Sequence, residues 1–106
     1  SLTIPWDVNT GTLTYTLDIS NIQKEVRGIE FLKAGSIMML MDTERRAVLQ
    51  YNLTEPYNIS TATFTDSFDV SQQTQQGRGL SFSADETIMY VTGRDEEKIF
   101  QYELVK

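Results

Sequence analysis

Two arginines, Arg27 and Arg78, each stand immediately before a glycine and lie 51 residues apart. A guanidinium offers a planar fork of donors that matches a carboxylate or a phosphate, so a repeated Arg-Gly is a candidate anion site. The competing assignment is structural: Asp18 and Asp69 recur at the same spacing, and each could pair with the arginine of its own unit. A second repeated pair, Trp6-Asp7 and Tyr57-Asn58, follows Pro5 and Pro56. An aromatic ring can stack on the apolar face of a sugar while a neighbouring carboxylate or amide takes its hydroxyls. Trp6, Asp7, Tyr57 and Asn58 are therefore the carbohydrate-binding candidates. Against that stands a proline–aromatic turn in which Asp or Asn bonds its own backbone.

Other constellations point to packing or solvent. Gln50-Tyr51 and Gln101-Tyr102 repeat, but aromatics in such strands usually fill space between sheets. Asp95-Glu96-Glu97 lacks the alternating spacing of a Ca²⁺ loop, and its counterpart is Glu44-Arg45-Arg46, so no metal site is expected. Asn52-Leu-Thr54 and Asn58-Ile-Ser60 are glycosylation sequons. The chain has no histidine, no cysteine, no G-x-S-x-G and no recurring pair of carboxylates, so it is expected to be no enzyme and to need no cofactor.

Composition narrows the partners. The net charge is −6, from 15 acidic and 9 basic residues, which argues against nucleic acid because neutralising phosphates takes Lys and Arg. No apolar run reaches the 18 or so residues of a membrane-spanning helix, so no membrane insertion is expected. Hydrophobic residues make up 40% of 106, enough for a core, although a chain this short buries proportionally less of itself than a large one. It begins at Ser1 rather than Met, so we expect a processed chain or a piece of a longer one.

The elements that carry these residues come in duplicate. Shifted by 51, the chain falls on itself without a gap, and 16 of 55 aligned pairs are identical. They include Pro5/Pro56, Thr12/Thr63, Asp18/Asp69, Arg27/Arg78, Gly28/Gly79, Phe31/Phe82, Ile37/Ile88, Met38/Met89 and Tyr51/Tyr102. The units run 1–51 and 52–104, and we read the whole chain as one two-unit module. Each unit holds four β-type stretches separated by turn signals. In chain order they are 12–19, 28–32, 37–41, 47–53, 63–70, 79–83, 88–92 and 98–104, and no stretch has a helical period. Four short strands per unit in series are the mark of a β-propeller blade. With strands named A to D outward from the axis, the order is DABCDABC: all-β, two four-stranded blade equivalents in permuted order. The expected core is Phe31, Ile37, Val48, Leu53, Phe82, Ile88, Val91, Ile99 and Leu104.

Residues 81–104, SFSADETIMYVTGRDEEKIFQYEL, resemble the YVTN-type propeller repeats, with MYVTG at 89–93 and QYEL at 101–104. The first unit departs from the pattern, with MMLMD at 38–42 and KAGS in place of ADET. The resemblance implies a propeller scaffold of the kind found in surface-layer proteins, lactonase-like enzymes and viral or bacterial surface proteins; function then rests on sites. The leading expectation is a non-enzymatic structural or recognition module of an extracellular or virion surface assembly, such as a fibre, spike or surface layer. A lectin with one site per blade for a cell-surface glycan comes second, and a lactonase-like or sialidase-like hydrolase last. Two blades cannot close a ring, so the expected partner is a homo-oligomer, a trimer of six blades in preference, or further blades of a longer chain.

Overall fold

The computed structural model describes residues 8–20, 25–74, 76–94 and 96–104. It is all-β, with seven strands among the described residues: β1 (Val26–Leu32), β2 (Ile37–Asp42), β3 (Ala47–Leu53), β4 (Ala62–Asp69), β5 (Gly77–Phe82), β6 (Ile88–Gly93) and β7 (Lys98–Glu103). They form two antiparallel sheets, one in the order β1-β2-β3-β4 and one in the order β5-β6-β7. Short 3-10 turns at Val8–Thr10 and Ile59–Thr61 are the only helical pieces among the described residues.

The duplication in sequence is a duplication in hairpin geometry. β2 and β3 close at Asp42↔Ala47, and β6 and β7 close at Gly93↔Lys98. Each pair leaves a four-residue turn whose last residue, Arg46 or Glu97, has a positive φ. β1 and β5 carry the same irregularity at the same place: the register shifts between Val26 and Gly28 and between Gly77 and Gly79. The residue thrown out of register is Arg27 in one and Arg78 in the other. A bulge of this kind turns a side chain away from the regular alternation of the pleat, which bears directly on the arginines.

Strand alternation divides the core in two. One face of the first sheet offers Met38, Leu40, Leu49, Tyr51 and Leu53, all buried. Its other face puts Met41 and Val48, with Met39 beside them, against Met89 and Val91 of the second sheet, with Val70 completing the cluster. The two sheets come closest where β5 lies against β1 and β2. Gly28 lies against Leu80 there, and even an added Cβ would meet the Leu80 Cβ at 3.4 Å and the Leu80 backbone nitrogen at 3.5 Å, an ordinary van der Waals contact.

The eight-strand expectation is corrected at residues 12–19. Residues 11–19 form no strand, and the second sheet has three strands, not four. The edge of β3 that a strand here would take by analogy is already occupied. The repeat counterpart of this segment is β4, which pairs with β3. Leu17 and Ile19 instead pack on the face of the first sheet turned away from the second, against the cluster of Met38, Leu40 and Tyr51. They stand to the first sheet as β4 and its successor stand to the second, where Val70 is buried and Phe68 meets Tyr102 edge-on at 5.2 Å.

Of the expected core, Val48, Leu53 and Val91 are buried, while Phe31, Ile37, Phe82, Ile88 and Leu104 are half-buried. Ile99 is the correction: it is 71% exposed. It matches Val48 in the repeat, but Val48 faces the second sheet, whereas no described residue covers Ile99 on the equivalent face of that sheet.

Asp18 and Asp69 close equivalent turns, accepting from the Ser20 N–H at 2.9 Å and the Ser71 N–H at 2.7 Å. The bonds from Ser20, backbone first, hold the Asp18 carboxyl below its ordinary value, and those from Ser71, hydroxyl first, do the same for Asp69. A lowered folded value means stabilisation that is present above the ordinary carboxylate range and lost as pH falls through the folded value. Carboxyl NMR titration should place both midpoints below the unperturbed aspartate value of about 3.9. Ser71→Ala should raise the midpoint of Asp69 and leave that of Asp18 where it was.

Candidate functional site

The bulges bring Arg27 and Arg78 to the same end of the molecule. Strands β1 and β5 begin there, and the turns after β2 and β6 end there, because each hairpin reverses the chain once. That geometry adds two arginines which the repeat comparison does not single out, Arg46 in the first turn and Arg94 in the second. The four line one polar recess of about 380 Å³, together with Thr43, Gln76, Glu25 and Glu44. Four of the chain's five arginines thus share one cavity in a protein of net charge −6.

One buried bond ties the walls across the two sheets, and a second closes the first sheet at the same end. The Thr43 hydroxyl donates to the Gly77 carbonyl at 2.6 Å, and the Thr43 N–H donates to the Glu25 carbonyl at 2.8 Å. Beneath the turn, the Asp42 side chain is fully buried; its Oδ1 accepts from the N–H groups of Glu44 and Arg45, and its Oδ2 lies 3.6 Å from Arg45 Nε. Arg45 therefore serves the turn, and the other four arginines serve the recess.

Arg27 lies 3.7 Å from Glu25, longer than a good charge-assisted bond. Arg78 donates through one terminal nitrogen to Gln76 Oε1 at 3.2 Å, and Arg94 donates to the same oxygen at 3.1 Å. Arg78 Nε is buried and makes no hydrogen bond. The expected Arg27–Asp18 and Arg78–Asp69 pairs are not formed among the described residues: both aspartates serve their own turns, and Arg46 is the cation that acts on Asp69.

The carbohydrate candidates divide. Trp6 and Asp7 lie outside the described residues. Tyr57 and Asn58 sit at the opposite end of the sheet from the arginines, beside the β1–β2 turn, where the Tyr57 N–H donates to the Gly35 carbonyl at 2.9 Å. The Tyr57 ring is 64% exposed and packs at 5.6 Å on Phe31, tilted by 52°. Asn58 is buried and spends its amide on its own loop: its oxygen accepts from the Ser60 N–H and hydroxyl, and its nitrogen donates to Glu55. Tyr57 and Asn58 therefore share no site with the arginines.

The repeated tyrosines are packing residues. Tyr51 is buried edge-on against Phe64, and the Tyr102 hydroxyl donates to Gln73 Oε1 at 3.1 Å. Among the described residues no group of three or more His, Cys, Asp or Glu could hold a metal ion. No described helix is long and apolar enough to cross a membrane. Comparison with family models, curated proteins and solved structures gave no match.

Proposed function

We propose that this chain is a non-enzymatic structural and recognition module whose two sheets are neighbouring blades of a β-propeller, completed by copies of itself. One observation carries the reading: β7 lacks the fourth strand that β4 supplies to the first sheet, while residues 11–19, the repeat counterpart of β4, lie unpaired. Shifting the β3–β4 register by one repeat pairs these residues with β7 of a neighbour. Ala47↔Asp69 becomes Lys98↔Asp18, and Val48↔Phe68 becomes Ile99↔Leu17. The first of these sets opposite charges across the ladder, which favours the pairing.

The sheet faces support the same arrangement. An apolar recess of about 300 Å³ lies beside Ile29, Met38 and Leu40, under Leu17 and Ile19. It corresponds to the place where β5 packs on β1 in the second unit. Covering it with the second sheet of a neighbour would also cover Ile99. Such a contact is head-to-tail and closes only at particular subunit numbers; three copies give six blades, within the range of known rings. The setting we assign is an extracellular or virion surface assembly.

The test is the mass in solution of the intact chain and of a chain lacking residues 1–19. The intact chain should form a closed oligomer of three 12.1 kDa subunits, and the deletion should be monomeric with its far-UV spectrum retained. An intact chain that stays monomeric at high concentration, or a deletion that still forms the oligomer, sinks the self-completion. A glycan-binding reading is favoured only by the exposed Tyr57 ring, and loss of a glycan-array signal in Tyr57→Ala would support it.

A further inference from the structure

We infer that Asn52 is an acceptor for an N-linked glycan, and that Asn58, the other sequon asparagine, is not. The inference rests on the extracellular part of the reading above, because the modification needs passage through a compartment that holds an oligosaccharide donor.

The chemistry sets what the site must offer. The asparagine Nδ2 attacks the anomeric carbon of a lipid-diphosphate-linked oligosaccharide. A bond from Nδ2 to that carbon forms, and the bond from the carbon to the diphosphate oxygen breaks. The diphosphate leaves with the electron pair, and an amide proton passes to a base of the transferase. The recognised tripeptide is Asn-x-Ser/Thr with x other than Pro. The product is bulky and solubilising, so the folded chain must hold it in solvent.

Asn52 meets these conditions. Its tripeptide is Asn52-Leu53-Thr54, and Asn52 and Thr54 are exposed while Leu53 between them is buried. Asn52 lies near the end of β3, opposite Ile37 on one side and Thr63 on the other, so ladders on both sides hold its backbone. Alternation puts Val48, Gln50 and Asn52 on one face. Burial falls along that row: Val48 is buried against the second sheet, Gln50 is half-buried and Asn52 is exposed. The Asn52 side chain therefore clears the second sheet. Its repeat counterpart Glu103, opposite Ile88, is exposed as well. The second sheet already packs on this face within one chain, so the ring proposed above would bring no further sheet onto it.

Asn58 is built into its loop instead. It is 8% exposed and caps the short turn at Ile59–Thr61. Its Nδ2, the atom that would carry the sugar, donates to Glu55. Its Oδ1 accepts from the Ser60 N–H at 3.0 Å and from the Ser60 hydroxyl at 2.6 Å, so the two polar groups of this sequon bind each other. A sugar on Nδ2 would displace the Glu55 contact and force a large polar group out of a buried position. A chain modified there does not reach this fold.

The experiment is secretion of the full chain from a eukaryotic cell behind a cleavable leader. Intact mass and peptide mapping are read before and after peptide N-glycosidase, which leaves aspartate where a glycan was. A single glycan is expected, with aspartate appearing at position 52 and Asn58 unchanged. Asn52→Gln and Thr54→Ala should each remove the whole mass increment, the second with Asn52 still in place. Ser60→Ala, which destroys the other sequon and keeps Asn58, should leave occupancy at Asn52 unchanged. The leader supplies the compartment, so the outcome tests the site and not the native location; self-completion is read separately, from the solution mass of the deglycosylated chain. Unmodified Asn52, or a glycan on Asn58 in the folded secreted protein, would overturn the assignment. If the chain is not secreted, translation into microsomes reads the same position, and unmodified Asn52 there overturns it equally.

Discussion

Replacing Val48 by aspartate will unfold the chain, whereas the same change at Ile99 will leave the fold of a single copy intact. The two positions are repeat counterparts on equivalent strands. Val48 is 3% exposed and pressed between the sheets with Met41, Met89 and Val91. A carboxylate there would be desolvated with no cation or donor to meet it, and substitutions of this class cost about 4 kcal/mol or more. A domain of this size holds only about 5–15 kcal/mol in total. Ile99 is in water, and surface substitutions generally stay within about 0.5 kcal/mol. Urea denaturation of both variants checks the pair. Loss of oligomer in Ile99→Asp, with the stability of the single copy unchanged, would place that face at the contact between copies. Equal stability of the two variants would show that the sheets do not pack through Val48.

The second large effect is at Met41. Its side chain is fully buried, and Met41→Ala should cost about 2–4 kcal/mol through lost burial and the cavity left behind. The hole would open beside Gly77, where an added Cβ would collide with the Met41 Cε. Gly77→Ala alone should therefore also destabilise, by forcing Met41 from its place. Together the two should be less harmful than the sum of the single changes, because the alanine methyl at 77 enters the space vacated at 41. Chemical denaturation of the two single variants and the double variant measures the coupling. Strict additivity would mean that Met41 does not pack on Gly77 in solution.

Much of this architecture was legible in the residues. The offset of 51 identified the hairpins, and β1 to β7 each fall within two residues of a stretch read from turn signals and β-formers. Residues 12–19 were read as a strand because they alternate as β4 does. Alternation reports which face is apolar and says nothing about whether an edge is available, and the equivalent edge of β3 is already taken by β4. Ile99 was misplaced for the same kind of reason: repetition predicts equivalent surroundings, which fail at the last sheet of a series.

The arginine recess was half legible. Arg27 and Arg78 are repeat counterparts and stood out. Arg46 aligns with Glu97, and Arg94 aligns with Thr43, so comparison of the units conceals both. The signal that would have found them is hairpin parity: the turn after the second strand of each unit returns to the end where its first strand began. For Tyr57-Asn58 the sequence offers both a sugar site and a proline–aromatic turn with Asn58 bonding its own backbone; Asn58 follows the second, its oxygen accepting from Ser60.

The close approach at Gly28 has a geometric consequence. The two sheets are nearest at their first strands, β1 and β5, where Gly28 lies against Leu80. Farther out, bulkier residues such as Met41, Val48, Phe68 and Tyr102 fill the gap. Each sheet is thereby a wedge, thin at one edge and thick at the other, and stacking such wedges generates curvature. In the ring proposed above, that taper would set the angle between neighbouring sheets.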